Sequence, residues 1–192
     1  MKTTERVIGL VGPSGVGKGF CKGVIRTYFP NIFSEPTIAT TRLKRDDDGS
    51  DRIAGLSVRE FFDKMASSHI LFGHQPFGEG TEWYGFVSSS FSNTSSILTE
   101  VHIDNIEGFK SKFGNKLILI GLIAAEDYLR SNMQQRGDAI KEIERRLEMS
   151  GKEIETINGL YDQMIIDYLI QVNDGNRDQL SDLVVNIVVQ YI

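Results

Sequence analysis

Near the start of the chain, Gly12-Pro13-Ser14-Gly15-Val16-Gly17-Lys18 has the G-x-x-x-x-G-K spacing that cradles a chain of phosphates. The glycines let the backbone curl until several N–H groups converge on one concavity. A helix beginning at the lysine would aim the positive end of its dipole at the same place. Lys18 adds a full charge for the outer phosphates of ATP. After the lysine, a Ser or Thr hydroxyl commonly helps hold Mg²⁺. Here that position is Gly19, followed by Phe20. The metal is therefore expected to be held more by phosphate oxygens and water, with a cost to rate rather than to ATP binding.

The elements around this loop can be read from the pattern of apolar residues. Residues 7–11 form a short apolar run, read as a buried strand, and residues 18–28 read as a helix that Pro30 stops. Residues 36–42 read as extended, and 44–50, with Asp46, Asp47, Asp48 and Gly49, as a loop. Ser57 and Glu60 have capping-box spacing at the head of a helix containing Phe61, Phe62 and Met65. Short strands and turns are expected over 69–87, a strand over 97–103, a helix over 104–113 and an apolar strand over 116–123. A helix over 126–135 breaks at Arg136-Gly137-Asp138, a long charged helix covers 139–164, and a strand over 168–172 leads through a turn at 173–175 to a last helix over 177–191. Alternating strands and helices imply an α/β fold, a parallel sheet covered on both faces.

At 192 residues the chain suits one domain able to bury a real core. A net charge of −5 argues against a general nucleic-acid or membrane-surface binder. No stretch reaches the roughly 20 apolar residues of a membrane helix. The opening residues lack a signal peptide's apolar centre, and the single cysteine, Cys21, excludes an internal disulfide. A cytoplasmic location is expected. His69, His74 and His102 have no partner at metal-ligand spacing. His69 and His74 read as ordinary loop or strand residues and His102 as a strand residue, and Cys21 as a small packed residue rather than a nucleophile. The three adjacent acids 46–48 read as a solvated loop, so no protein metal cluster is expected.

Several segments in order extend the phosphate loop into a family resemblance. Gly12 to Gly19 resembles the phosphate loop of guanylate kinases, Thr40-Thr41-Arg42-Leu43-Lys44-Arg45 their T-T-R-x-x-R segment, and Trp83-Tyr84-Gly85 their Y-Y-G segment. Leu129, Arg136-Gly137, Ile143 and Arg146 follow the family's lid pattern, and Tyr161-Asp162 and Asn173-Asp174 its C-terminal region. The resemblance implies a P-loop NTPase three-layer sandwich with a small acceptor-binding subdomain, about 35–94, and a helical lid, about 126–146. It implies ATP held by Gly12, Pro13, Ser14, Gly15, Val16, Gly17, Lys18, Gly19, Phe20 and Asn173, with Mg²⁺. Arg42 and Tyr84 would grip the acceptor's phosphate, Arg45 would face the transferring phosphates, and Arg136 and Arg146 would close over ATP. Arg145 competes with Arg146 for that place. Arginine suits these roles because its planar fork meets phosphate oxygens at two points.

The guanine-reading positions differ. Where the family has a serine, a tyrosine, a glutamate, a second serine and an aspartate, this chain has Ile38 or Ala39, Arg52, Phe72, Phe86 and Asn105. Asp104 takes the aspartate's place if one residue is inserted. Phe72 and Phe86 could stack on a base or serve as core aromatics, and Trp83 could pack beside the acceptor or in the core. Residues 51–62 are similar to the acceptor segment of ribose 1,5-bisphosphate phosphokinases, with one extra glycine and Arg52 in place of a histidine. Three readings follow: a phosphotransferase acting on GMP by default, one acting on a sugar phosphate, and a weakly active or inert guanylate-kinase-like binding module. A small-molecule acceptor, no nucleic acid, no membrane, and a monomer or homodimer are expected.

Overall fold

The computed structural model describes residues 5–45, 49, 51–78, 80–92, 95–173 and 177–192. Strand β1 (Val7–Val11) is buried along its whole length. It lies at the centre of a five-stranded sheet made with β2 (Phe33–Ser34), β7 (Ser96–Glu100), β8 (Leu117–Ala124) and β9 (Tyr168–Val172), in the order β2-β7-β1-β8-β9. Every pairing in it is parallel. Parallel strands need crossovers and so acquire cover on both faces, which explains the continuous apolar runs of β1 and β8.

The two faces divide by the strand period of two. Ile8 and Leu10 pack with Cys21 and Ile25 of α1 (Lys18–Tyr28), Leu129 of α4 (Glu126–Gln135), and Leu180 and Val184 of α6 (Arg177–Val188). Val7 and Val11 pack on the other side with Phe109 and Phe113 of α3 (Ile106–Phe113) and Ile157 of α5 (Ile140–Asp162). The fold is a mixed α/β sandwich, with six α-helices among the described residues. Cys21 is fully buried, and burial pushes its thiol up to about 12, which suits packing rather than nucleophilic chemistry.

A second sheet of four strands comes from the middle of the chain. It contains β3 (Ile38–Thr40), β4 (Arg52–Ile53), β5 (Ile70–His74) and β6 (Tyr84–Val87), in the order β4-β3-β6-β5. Helix α2 (Val58–Ala66) packs on it through Phe61, with Trp83 beside it. Ser57 and Glu60 make the expected reciprocal cap: Ser57 Oγ accepts from Glu60 N, and the Glu60 carboxylate accepts from Ser57 N at 2.8 Å. Trp83 lies edge-on to Phe62, ring centroids 4.9 Å apart.

Some boundaries differ from the expected ones. The strand expected over 97–103 ends at Glu100: Val101 N–H makes a last bond to the Leu10 carbonyl at 2.9 Å, and residues 103–105 then wind into a 3-10 turn. His102 is thus the cap of that turn and not a strand residue. The helix expected from 104 begins at Ile106. The long helix stops at Asp162, before Met164 at φ 56°, a left-handed conformation no regular helix can contain. The final helix becomes 3-10 over Val189–Tyr191. The acids 46–48 and residues 174 and 175 of the expected turn lie outside the described residues. Among the described residues no helix is long and apolar enough to cross a membrane.

Candidate functional site: a phosphate loop facing a polar cleft

The loop between β1 and α1 has the backbone its glycines allow. Gly15 has φ 83° and Gly17 φ 109°, and Gly17 caps α1 with no side-chain hydrogen bond. A Cβ on Gly15 would come within 2.7 Å of the Leu129 carbonyl, so the loop presses against α4 where only glycine fits. Asn132 of α4 clamps it by donating Nδ2 to the Gly15 carbonyl at 2.8 Å. Lys18 folds back over the loop, donating Nζ to Gly12 O at 2.5 Å and Pro13 O at 3.1 Å.

A carboxylate waits beside the lysine. Glu100, at the end of β7, lies 3.9 Å from Lys18 Nζ and 3.4 Å from Lys22 Nζ, and Lys22 also pairs with Glu35 at 2.9 Å. Burial works against the charge on Lys22, but Glu100 and Glu35 outweigh it and hold its ammonium above the ordinary value. A Cβ on Gly19 would meet nothing within 4 Å. Phe20 is partly exposed, with the Arg177 guanidinium 5.8 Å above its ring.

The loop forms one wall of a cleft of about 290 Å³, lined by Gly12, Ser14, Lys18, Lys22 and Glu100 on the loop side. Asp51, Arg52, His74, Phe77, Tyr84 and Phe86 of the second sheet and its loops face them, with His102 and Glu153. Burial raises the Glu153 carboxyl, Lys18 pulling the other way. Burial also pushes both imidazoles down, His102 to about 4, so they are neutral near pH 7.

A second cluster sits at the junction of α4 and α5. Arg136 pairs with both oxygens of Asp138, the Nε contact at 3.0 Å. Arg146 donates to Asp138 at 2.9 Å and to Glu142 at 2.8 Å. Asp138 is held below the ordinary carboxyl range first by its Arg136 hydrogen bonds, against burial, and then by the charges of Arg136, Arg146 and Arg45. Arg45, Arg136 and Arg146, far apart in sequence, are thus gathered around one carboxylate. Arg146 also lies 4.5 Å from the centroid of the Phe77 ring in the cleft wall, and Arg145 lies 5.5 Å away, donating to the Phe77 carbonyl at 3.3 Å. Arg145 thus contacts Phe77 and Glu142, and Arg146 alone of the two reaches Asp138.

No family model matches the chain. Among solved structures it is similar to a guanylate kinase from Anaplasma phagocytophilum (TM-score 0.66, 15% identity, 100% of this chain and 88% of that one). It is also similar to a shikimate kinase from Acinetobacter baumannii in complex with shikimate (TM-score 0.50, 12% identity, 98% and 95%). The fold is that of a P-loop kinase.

Within this fold the expected site residues separate into groups. Lys18 and Tyr84 line the cleft together with Gly12 and Ser14. Arg42 is buried to 6% exposure; its guanidinium donates to Leu43 O at 2.7 Å, and it is not among the cleft-lining residues. Asp104 is absent from the lining, its side chain 70% exposed, while His102 occupies the wall. Asn173 follows β9 at the edge of the described residues. Phe72 is packed into the core: it stacks on Phe109 at 4.1 Å and meets Phe86, Phe91 and Phe113. That removes it as a base-stacking platform. Asn105 is also buried, its amide spent on Phe72 O and His74.

Sequence reasoning passed over Glu100, Asn132, Glu153 and the His74–His102 pair. Glu100 carried a signal, an acid at the C-terminal end of a strand that could neighbour β1. The other residues carried none, because their spacing along the chain says nothing about a shared wall.

Proposed function

We propose that the protein is an ATP-dependent phosphotransferase acting on a small phosphorylated acceptor. The observation that carries this reading is the glycine-strained loop with Lys18 facing, across one cleft, the Tyr84 and Arg52 wall of the second sheet. Arg136 and Arg146 bond to Asp138, Arg45 adds its charge there, and Arg146 rests on Phe77 of the cleft wall. Loop N–H groups and an ammonium suit the phosphates of ATP; a wall with a phenol and a guanidinium suits a second anion.

The donor set also fits a divalent cation of the Mg²⁺ class. Such an ion takes one or two carboxylates and fills its other positions with phosphate oxygens and water. Glu100 is the carboxylate at hand, and the open space beside Gly19 leaves room for water where a hydroxyl is missing. Mg²⁺, when bound, neutralises charge on the phosphates.

An acceptor phosphate is already ionised near neutral pH, so no strong base is required. Its oxygen forms a bond to the γ-phosphorus of ATP as the bond to the β,γ-bridging oxygen breaks, and ADP leaves. The protein's part is to align two anions and disperse the charge on the moving group. Lys18 would leave its loop carbonyls to meet the outer phosphates. Arg136 and Arg146 would exchange Asp138 and Glu142 for phosphate oxygens.

GMP is the default acceptor by resemblance, and a sugar phosphate is the second reading. Phe72 in the core and Asn105 spent on buried groups favour the sugar phosphate, since neither side chain is placed to read guanine. The test is ADP formation from Mg·ATP with GMP, dGMP, other nucleoside monophosphates and ribose 1,5-bisphosphate, with products identified by mass. Turnover abolished by Lys18→Ala supports the reading. Bound ATP with no turnover on any of them favours the inert binding module.

A further inference from the structure

Two imidazoles in the cleft wall take no part in the phosphate handling. His74 and His102 stack with ring centroids 4.6 Å apart and planes 21° apart, and both line the cleft. His74 arrives there through an irregularity. Leu71 pairs with Phe86 and His74 with Tyr84, so β5 takes three steps where β6 takes two. The extra residue makes a β-bulge, which re-aims a side chain. Its strain shows at Phe72, a non-glycine residue at φ 58°. Phe72 turns into the core and His74 reaches the cleft. Such strain persists only where the surroundings over-determine it, and here the aromatic cluster around Phe72 does so.

The network behind the rings engages the Nδ1 atom of each imidazole. Asn105 Nδ2 lies 2.9 Å from Phe72 O and 2.9 Å from His74 Nδ1. One amide nitrogen has two hydrogens and here faces two acceptors. Phe72 O is also 3.1 Å from His74 Nδ1. With the amide donating to both atoms, His74 Nδ1 is an acceptor and its hydrogen sits on Nε2. His102 Nδ1 lies 3.4 Å from both the Asp104 backbone N and the Asp104 carboxylate; as acceptor from the N–H it leaves the hydrogen on Nε2.

We propose that His74 and His102 hold their hydrogens on Nε2 and are the specificity-determining pair of the acceptor site, those donors selecting a phosphorylated polyol over a guanine nucleotide. This rests on the phosphotransferase reading above. A hydroxyl accepts a hydrogen from an imidazole and donates its own to Asp51 or Glu153 in the same cleft. Guanine's reading edge is dominated by N–H donors. Set against imidazole donors, these leave buried groups unpaired, a mismatch that costs affinity.

The test uses the full chain loaded with Mg²⁺ and the non-hydrolysable analogue AMP-PNP, titrated with ribose 1,5-bisphosphate, ribose 5-phosphate and GMP. Long-range ¹⁵N NMR of the imidazoles is expected to show the Nε2–H tautomer for both histidines. At least one sugar phosphate is expected to shift both Nε2 signals and to bind about tenfold or more tighter than GMP. His102→Phe is expected to lose about tenfold in that affinity, and His102→Gln, which keeps an N–H near the position of Nε2, to recover most of it. The Nδ1–H tautomer, GMP binding as well as the sugar phosphates, or Phe and Gln variants that behave alike would each overturn the proposal. Failure of AMP-PNP to bind would overturn the phosphotransferase reading and this one with it. A loaded protein that ignores the two histidines would overturn this one alone.

Discussion

Single side chains carry most of the proposed chemistry, and Lys18 is the plainest. Its ammonium is already desolvated against two loop carbonyls. Lys18→Ala is expected to lower turnover on the order of 100-fold or more, with the fold intact by circular dichroism. Asp138 offers a test without substrate. Its folded carboxyl titrates below the ordinary value of about 3.8 because Arg136 hydrogen-bonds to it and Arg146 and Arg45 add their charge. The unfolded chain therefore binds the proton first. The stability Asp138 contributes is fully present above the ordinary range and is lost as pH falls through its lower folded value. Urea midpoints are expected to fall below about pH 4, and Asp138→Asn is expected to flatten part of that fall. An Asn variant with the same slope would mean that the cluster is too well hydrated to matter.

Elements decide whether those side chains meet. Helix α2 is short, and its start rests on a complete capping box at Ser57. Ser57→Ala is expected to cost about 1 kcal/mol in urea denaturation, without a change in nucleotide binding. The contact of the phosphate loop with α4 is less forgiving. Gly15→Ala would place a methyl 2.7 Å from a backbone carbonyl at a φ that alanine avoids. A loss of about 1–3 kcal/mol is expected, together with weaker binding of AMP-PNP by calorimetry, because the loop must move off α4. Unchanged AMP-PNP affinity in that variant would show that the clamp from Asn132 does not shape the loop.

At the scale of the whole molecule, Phe77 is the bridge between the second sheet's loops and the charged helices. Two arginines of α5 rest on its ring, and one also bonds its carbonyl. Removing the ring would leave the arginines without the part of the cleft wall on which they rest. Phe77→Ala is expected to raise the acceptor KM about tenfold while Lys18 and the loop still bind ATP, as steady-state kinetics would show. An unchanged KM would mean that the two arginines find their place without it.

The local signals in this chain were readable because they depend on neighbours in sequence. The phosphate loop needs its glycines in order; Val7–Val11 and Leu117–Ala124 need only their own apolar runs; the Ser57 cap needs a glutamate three residues on. The sequence alone therefore determined the fold class, the place of the loop and the bounds of α1, α4 and β9. Which face of the cleft a distant residue joins is a different question, answered by packing. A bulge at Phe72 sends one aromatic inward and one imidazole into the cleft, and a strand ending at Glu100 rather than at 103 leaves His102 to turn toward it. The first outcome goes with the packing of Phe72 against Phe86, Phe91 and Phe109 in one core, residues that share no spacing rule. Only the tertiary structure could bring His74 against His102, or Arg45 to Asp138, because burial and charge pairing act through space and not along the chain.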